Sequence, residues 1–195
     1  MFKLHHSINR ILIKLSYHFG VSKLFSMPKM LALDPTNLCD LKCPLCPTGL
    51  RDKTVQRGSI KLEQFKVIVN RLGKYLQSIN LYSWGEPLLH KSLVDMIRHT
   101  AINHKIRTIT SVHLGNLSDE QVEGLATSGL DKLIVSVDGT TQEVYEKYRV
   151  GGDIEKVFAN MKRLVEAKKR HKSKVDVIWN FLVMKQNEHQ IDMAK

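Results

Sequence analysis

From residue 30 onward, short apolar runs alternate along the chain with longer segments of helical period. The runs are rich in β-branched and other apolar residues on both faces, as strands covered by helices are. The alternation predicts consecutive βα units and therefore an α/β fold built on a parallel sheet. Five strands are expected, at residues 30–34, 78–82, 106–111, 132–137 and 175–183.

Two kinds of pattern locate the helices between these strands. Apolar residues recur at helical spacing over residues 154–165, which predicts a helix with one face toward the core. Ser118 is followed three positions later by Gln121, and Thr140 in the same way by Glu143. In such a capping box the two residues satisfy each other's free backbone amides, so helices are expected to begin directly after Ser118 and after Thr140.

The predicted sheet has an open edge at its last strand. A helix start is expected at residues 187–190, and the sequence ends at Lys195 without a further strand. Exposed edges of parallel sheets are rare and prone to aggregation. The pattern therefore favours a sixth strand that belongs to the natural protein and lies beyond Lys195.

The first 33 residues differ in charge from the rest of the chain, because they contain five Lys or Arg residues and no acidic residue. Apolar side chains recur there at helical spacing, at Leu4, Ile8, Ile11, Leu12, Leu15 and Phe19. Residues 1–29 are therefore predicted to form a basic amphipathic helical segment. Residues 1–27 could contact an anionic membrane peripherally, or the helix could cover the bottom of the domain. The second interpretation is favoured, since any surface helix has an apolar face.

Composition places the chain among ordinary globular proteins. Its 195 residues suffice for one domain, with residues 30–195 as the body. A hydrophobic content of 43% and a charged content of 25% exclude disordered, collagen-like and multi-span membrane classes. The formal net charge of +11 suits an anionic partner without naming one. A cytoplasmic location is expected.

The three cysteines of the chain, Cys39, Cys43 and Cys46, lie in one loop directly after the first predicted strand. This C-x3-C-x2-C spacing excludes a disulfide scaffold and indicates metal or cluster ligation in a reducing compartment. Three thiolates on one loop can hold three irons of a cubane and leave the fourth iron open to a small molecule. The alternative is a zinc site, with His90 or His113 as the fourth ligand.

The cysteine motif resembles the signature of the radical S-adenosylmethionine (SAM) superfamily, which follows the first strand of a partial barrel. The resemblance extends over residues 30–195 and is close to the SPASM-type branch. It implies a partial (β/α) TIM-like barrel, with five βα units visible of an expected six. It also implies one 4Fe–4S cluster held by the three cysteines, and SAM as the second cofactor.

Part of a SAM site is implied after the second strand. Ser83-Trp84-Gly85-Glu86-Pro87 is similar to the Gly-Gly-Glu-Pro element that holds the methionine amino group, with Trp84 in place of the first glycine. Gly85, Glu86 and Pro87 are therefore expected at the cofactor. A simple strand-to-helix turn explains the glycine and the proline, but it leaves Glu86 unexplained.

Further SAM contacts are implied at the cysteine loop and at the last two strands. Ser136 and Asp138 end the fourth strand, and Arg149 follows. The serine and the arginine are expected at the carboxylate and ribose region, and a guanidinium can pair with a carboxylate in bidentate fashion. Leu182 on the fifth strand is expected near the adenine. Leu45 replaces the aromatic residue often found before the last cysteine.

The family implies reductive cleavage of SAM to methionine and a 5′-deoxyadenosyl radical, which takes a hydrogen atom from a substrate. That substrate is unknown; a peptide or protein is one candidate, because the branch includes peptide maturases. A flavodoxin or ferredoxin is an expected electron donor. Members of the branch usually carry further cysteines for auxiliary clusters, and this sequence has none beyond the three.

Two other classes remain open at the level of sequence. A truncated barrel could keep the motifs and bind a partner without catalysing a reaction. A zinc-binding nucleic-acid module would explain the basic charge and the cysteines, but it leaves Gly85, Glu86 and Ser136 without a role.

Overall fold

The structure is a computed structural model that describes residues 2–195, with side chains from residue 5 onward. Met1 and the side chains of Lys3 and Leu4, which belong to the predicted amphipathic segment, lie outside this description. The helices are α1 (Phe2–His18), α2 (Leu62–Leu72), α3 (Leu93–Arg98), α4 (Asp119–Thr127), α5 (Gln142–Tyr148) and α6 (Ile154–Arg170). The strands are β1 (Met30–Ala32), β2 (Ser78–Asn80), β3 (Arg107–Val112), β4 (Lys132–Ser136) and β5 (Asp176–Asn180).

The five strands form one parallel sheet in the order β1-β2-β3-β4-β5. Each strand pairs in parallel with the next strand of the sequence, and at least one helix lies between them in the chain. The predicted α/β fold with a parallel sheet is therefore confirmed. Because every strand runs in the same direction, the carboxyl ends of all five strands lie at one edge, where such folds place their sites.

The predicted strands are correct in number and order, but several are too long. The strand expected at residues 175–183 ends at Asn180, because the Leu182 amide donates to Asp138 Oδ1 at 2.8 Å rather than to a neighbouring strand. Leu182 therefore lies in the loop after β5 and not on the strand. The sheet is not closed within the described residues, with β1 and β5 at its edges.

One of the two predicted capping boxes is confirmed. Ser118 Oγ accepts from the Gln121 amide and Gln121 Oε1 accepts from the Ser118 amide, both at 3.1 Å. The box at Thr140 is wrong, since α5 begins one residue later with Thr141 as its N-cap. The Thr140 amide instead donates to Gln190 Oε1 at 2.8 Å, so a side chain from the end of the chain takes the place of the box.

The core lies between the sheet and the helices that cover it. Its fully buried side chains come from helices and strands alike, among them Phe65, Ile79, Met96, Leu133 and Leu164. Helix α6 follows the predicted apolar periodicity and buries Ile154, Val157 and Leu164. In the described part of the chain, no helix has the length and apolarity that a membrane span requires.

Candidate active site

A cavity of about 220 Å³ opens at the carboxyl edge of the sheet. It is lined by the three cysteines and by five further residues of the predicted site: Leu45, Gly85, Glu86, Ser136 and Arg149. Pro87, Asp138 and Leu182 do not line it. Larger grooves occur between α3 and α4 and along the N-terminal segment, but neither contains a residue of the predicted site.

The cysteine loop is held in a tight turn. Cys43 is buried, whereas Cys39 and Cys46 are half-buried. The Cys46 amide donates to the Cys43 carbonyl at 3.2 Å, and a Cβ placed on Gly49 would lie 2.4 Å from the same carbonyl oxygen. A side chain at Gly49 is therefore excluded by this turn. Burial raises the pKa of the Cys43 thiol, and the nearby Arg149 guanidinium opposes this shift.

The turn after β2 packs directly on the segment that leads to the cysteines. Gly85 has φ +89°, a conformation that side chains rarely adopt, and its Cβ would lie 2.3 Å from the Thr36 carbonyl oxygen. The next residue, Glu86, donates its amide to the Leu38 carbonyl at 2.7 Å. The two cofactor elements predicted from sequence are thus joined through backbone contacts that require a glycine at this position.

The Glu86 side chain is buried, and each of its two oxygens accepts a hydrogen bond from a backbone amide. Its Oε1 accepts from the Leu88 amide at 3.2 Å and its Oε2 from the His113 amide at 2.8 Å. Glu86 caps the short 3₁₀ turn Pro87–Leu89, with Pro87 at the first position. The turn therefore accounts for the glutamate as well as for the proline, and the sequence argument that it leaves Glu86 unexplained is wrong.

His113, which follows β3, connects the glutamate turn to the cysteine loop. Its ring is buried, and Nε2 lies 2.8 Å from Asp40 Oδ1 and 3.4 Å from Glu86 Oε2. Asn116 donates to the other Asp40 oxygen at 2.6 Å. Asp40 stands beside the first cysteine in the sequence, so this network fixes the start of the cysteine loop against the end of β3.

The charge of the His113 ring is set by opposing effects. Burial lowers its pKa, but the carboxylates of Glu86 and Asp40 act more strongly and raise it to about 10. The Gly115 amide donates to Nδ1 at 3.0 Å, so a second proton on the ring would displace this contact. In either charge state Nε2 carries a proton, and His113 acts as a donor to the Asp40 carboxylate.

A second buried network lies at the end of β4. Asp138 is fully buried and its Oδ2 accepts from Arg149 Nε at 2.6 Å, while its Oδ1 holds the Leu182 amide. The Asn187 side chain donates to the Asp138 and Leu182 carbonyls. Asp138 therefore positions Arg149 and the loop that carries Leu182, and the Arg149 guanidinium reaches the cavity and the Cys43 thiol.

The cavity is also lined by residues that were not predicted as SAM contacts, although Ser83 and Trp84 belong to the predicted Gly-Glu-Pro segment and His113 was a candidate zinc ligand. They are Tyr82, Ser83, Trp84, Ser111, Val112, His113 and Tyr148. Most of them lie at the ends of β2 and β3, where position alone could have identified them, because every strand of a parallel βα series ends at the same edge. The rim is formed in part by Leu45, whose side chain is exposed.

The two histidines considered for a zinc site have different surroundings. His90 binds the Ile60 carbonyl through Nε2 and the Ser92 amide through Nδ1. The ring nitrogens of His113 are engaged by Asp40 and by a backbone amide, although ligand atoms of Cys39, Asp40 and His113 lie within 4.8 Å of one another. Both rings are hydrogen-bonded within the fold, and of the two only His113 lies beside the cysteine loop, so a zinc site would use His113 rather than His90.

Fold and site together define an α/β protein that carries three cysteines at the carboxyl edge of a parallel sheet. The family model of the radical SAM superfamily matches residues 33–194. The chain therefore belongs to the radical SAM superfamily, whose members use a 4Fe–4S cluster and SAM. This confirms the resemblance at the level of the superfamily and the partial TIM-like barrel class of the fold.

Individual relatives are similar over most of this chain. The PqqA peptide cyclase of Rhodopseudomonas palustris is 32% identical over 136 residues, which are 68% of this chain and 34% of the relative. A probable GTP 3',8-cyclase of Methanocaldococcus jannaschii is 28% identical over 82% of this chain and 51% of its own. This chain thus spans about a third to a half of these curated relatives.

The solved structures agree on the fold. Streptococcus suis SuiB bound to S-adenosylmethionine has a TM-score of 0.71 at 19% identity, covering 95% of this chain and 40% of its own. BtrN in complex with AdoMet and 2-DOIA has a TM-score of 0.56 at 20% identity, over 82% and 58% of the two chains. Two structures of related fold therefore hold SAM.

Proposed function

We propose that this chain is the core of a radical SAM enzyme that binds one 4Fe–4S cluster through Cys39, Cys43 and Cys46. The observation that carries the proposal is that all three cysteines line the same cavity as Gly85, Ser136 and Arg149. Three thiols on a tight loop are a donor set that leaves one iron of a cubane without a protein ligand. The residues present therefore fit this cluster and a chelating small molecule beside it.

When bound, the cluster and SAM supply a one-electron reductive cleavage that yields a 5′-deoxyadenosyl radical for hydrogen abstraction from a substrate. The protein binds, orients and excludes water. Arg149, held through Nε by Asp138, offers its remaining nitrogens to the SAM carboxylate, and Ser136 offers its hydroxyl to the same region. The Gly85 turn offers its backbone groups to the methionine end, and the Glu86 carboxylate, each of whose oxygens accepts one backbone amide, keeps further lone pairs for the same region.

The remaining predicted SAM-binding residues have smaller roles in this proposal. Pro87 shapes the turn, and Asp138 acts on SAM through Arg149. Leu45 and Leu182 offer apolar contacts to the adenine, because both side chains are exposed, while the Leu182 amide stays bound to Asp138. A flavodoxin or ferredoxin in the cytoplasm is the proposed electron donor.

A peptide is the substrate class that we propose for the whole protein. One relative is named as a peptide cyclase, and SuiB has been solved with its precursor peptide. Other relatives are named GTP 3',8-cyclases, so a nucleotide is the competing substrate class. Turnover of peptide pools and of GTP under the same reducing conditions separates the two.

The first experiment is anaerobic reconstitution with iron and sulfide, followed by iron analysis and electron paramagnetic resonance of the reduced protein with and without SAM. About four irons per chain and a spectrum that changes on addition of SAM are expected. Zinc in place of iron, or a cluster whose spectrum ignores SAM, would contradict the proposal. Formation of 5′-deoxyadenosine distinguishes an enzyme from an inactive barrel that only binds a partner.

Two variants test cluster binding and SAM binding separately. Cys43→Ala is expected to lose the cluster. Arg149→Ala is expected to keep the iron and to bind SAM more weakly, measured by titration of the spectral change. Arg163→Ala is the matched control, because Arg163 is also hydrogen-bonded and partly exposed but lies away from the cavity. Full iron content in the Cys43 variant would refute the ligand assignment.

A further inference from the structure

Helix α1 turns its apolar stripe to solvent. Ile8, Ile11 and Leu15 on the helix, and Phe19 directly after it, are between 47% and 70% exposed, although the sequence favours a helix whose apolar face covers the domain. A neighbouring face of the helix contacts the segment that follows it. On this face Asn9 is buried and forms two hydrogen bonds with the Met27 backbone, at 2.8 and 2.7 Å. Within the described residues, most of the stripe is therefore left open to solvent, with Leu12 half-buried.

The segment after α1 extends this apolar surface. Val21, Leu24 and Phe25 are 44%, 60% and 82% exposed, and they continue directly from Phe19 along the chain. An apolar groove of about 730 Å³ runs between the end of α1 and residues 20–28. Large apolar side chains exposed in one continuous region mark an interaction surface, whereas single exposed residues do not.

The charges around this surface have one sign. No acidic residue occurs before Asp34, and Arg10, Lys14, Lys23 and Lys29 are exposed. At about 100° per residue, Lys14 lies about 60° from Ile11 at one border of the α1 stripe, and Arg10 lies about 40° further round on the same side. An apolar stripe beside a row of cations is the arrangement of helices that lie in the interface of an anionic bilayer, with the apolar side chains in the acyl region and the cations at the headgroups.

We propose that residues 5–29 form a docking surface for an anionic lipid bilayer, with α1 parallel to the membrane plane. Charge complementarity selects this occupant, because a second copy of the same cationic surface would be repelled. The surface lies outside the cavity that holds the three cysteines, so the inference does not depend on the proposed activity.

The test is co-sedimentation of the chain with vesicles of phosphatidylcholine alone or mixed with phosphatidylglycerol. Binding is expected for the mixed vesicles and should weaken as salt is raised. Arg10→Gln with Lys14→Gln should weaken the partition coefficient about 30-fold, because each cation near an anionic surface contributes about 1 kcal/mol and 1.4 kcal/mol is a factor of ten. The matched control, Lys162→Gln with Lys169→Gln on α6, removes the same charge from exposed positions elsewhere and should bind almost as wild type.

The apolar contribution is tested by Ile11→Ser with Leu15→Ser, which should reduce binding at least about tenfold. Val67→Ser with Ile102→Ser is its control, since these two side chains are 50% and 48% exposed outside the segment. Circular dichroism confirms that each variant is folded. Equal sedimentation with both vesicle types would overturn the proposal, and so would equal losses of vesicle binding in the variants and their controls. A dimer that the Ile11 and Leu15 substitutions dissociate would also overturn it.

Discussion

Replacing Arg149 by Met should destabilise the apo protein through the carboxylate that it leaves behind. Asp138 is fully buried, and the arginine Nε at 2.6 Å is its charged partner. Its other oxygen keeps the Leu182 amide, which cannot neutralise the charge. The variant therefore buries an ionised group without a counter-ion, which is among the most costly changes that a single substitution can make.

The size of the effect follows from burial. Breaking a buried ion pair by removing one partner costs about 3 to 5 kcal/mol. The Arg149 side chain is 18% exposed, so water can reach part of the site and the lower end of about 3 kcal/mol is expected. Arg149→Met combined with Asp138→Asn removes both charges and keeps an oxygen for the Leu182 amide. This double variant should lie within about 1 kcal/mol of the wild type.

Urea unfolding followed by circular dichroism measures the free energy of unfolding for the wild type, both single variants and the double variant. The same proteins, reconstituted with iron, are then titrated with SAM. The double variant should be stable and yet bind SAM poorly, which separates the structural role of the pair from its proposed cofactor role. A loss below about 1 kcal/mol in Arg149→Met, or a double variant as unstable as that single variant, would refute the reasoning.

Three further predictions concern the turns and buried polar groups around the cavity. Gly85→Ala should lower the free energy of unfolding, measured in urea, by at least about 2 kcal/mol, because Gly85 has a positive φ and a carbonyl oxygen would lie 2.3 Å from the added Cβ. In the control, Gly58→Ala, the added Cβ meets open space, and the loss should be less than about 1 kcal/mol. Tyr145→Phe should leave stability unchanged or raise it by about 1 kcal/mol, since its buried hydroxyl has no hydrogen-bond partner in the described structure; a lower melting temperature would reveal one. The pKa of His113 rises from 6.5 to about 10 because its carboxylate neighbours outweigh the effect of burial. The protonated ring therefore stabilises the folded state fully below pH 6.5, and this stabilisation is lost as the pH rises through 10. The wild type should therefore lose more stability than His113→Gln between these two pH values, and parallel pH profiles would show that the ring stays neutral.

The residues at and beside the cavity illustrate how far sequence reasoning reaches. Gly85 and Arg149 were predicted from the resemblance to the radical SAM superfamily, and both line the cavity. His113 and Asp40 carry no motif that sequence reasoning recognised, and they are 73 positions apart. A contact of this kind depends on how β3 is placed beside β1 and β2, so spacing along the chain cannot predict it.

Strand ends and helix caps also divide into those that local sequence determines and those that distant residues determine. The Ser118 box is local, with both partners within one turn, and the sequence predicted it correctly. At Thr140 the predicted box does not form, because the Thr140 amide binds the side chain of Gln190, which is 50 positions away. The predicted fifth strand was too long because the buried Asp138 carboxylate draws the Leu182 amide out of the sheet.

Local chemistry and periodicity determined the order of βα units, the parallel sheet, the cysteine loop and the amphipathic character of residues 1–29, because each depends on near neighbours in the chain. Tertiary structure decided which side chains share the cavity, that Glu86 and Asp138 serve as internal anchors, and that the stripe of α1 faces outward. These features depend on which distant groups meet once the sheet has formed. Apolar periodicity gives a helix its apolar face, but Asn9 and Met27 decided which way that face points.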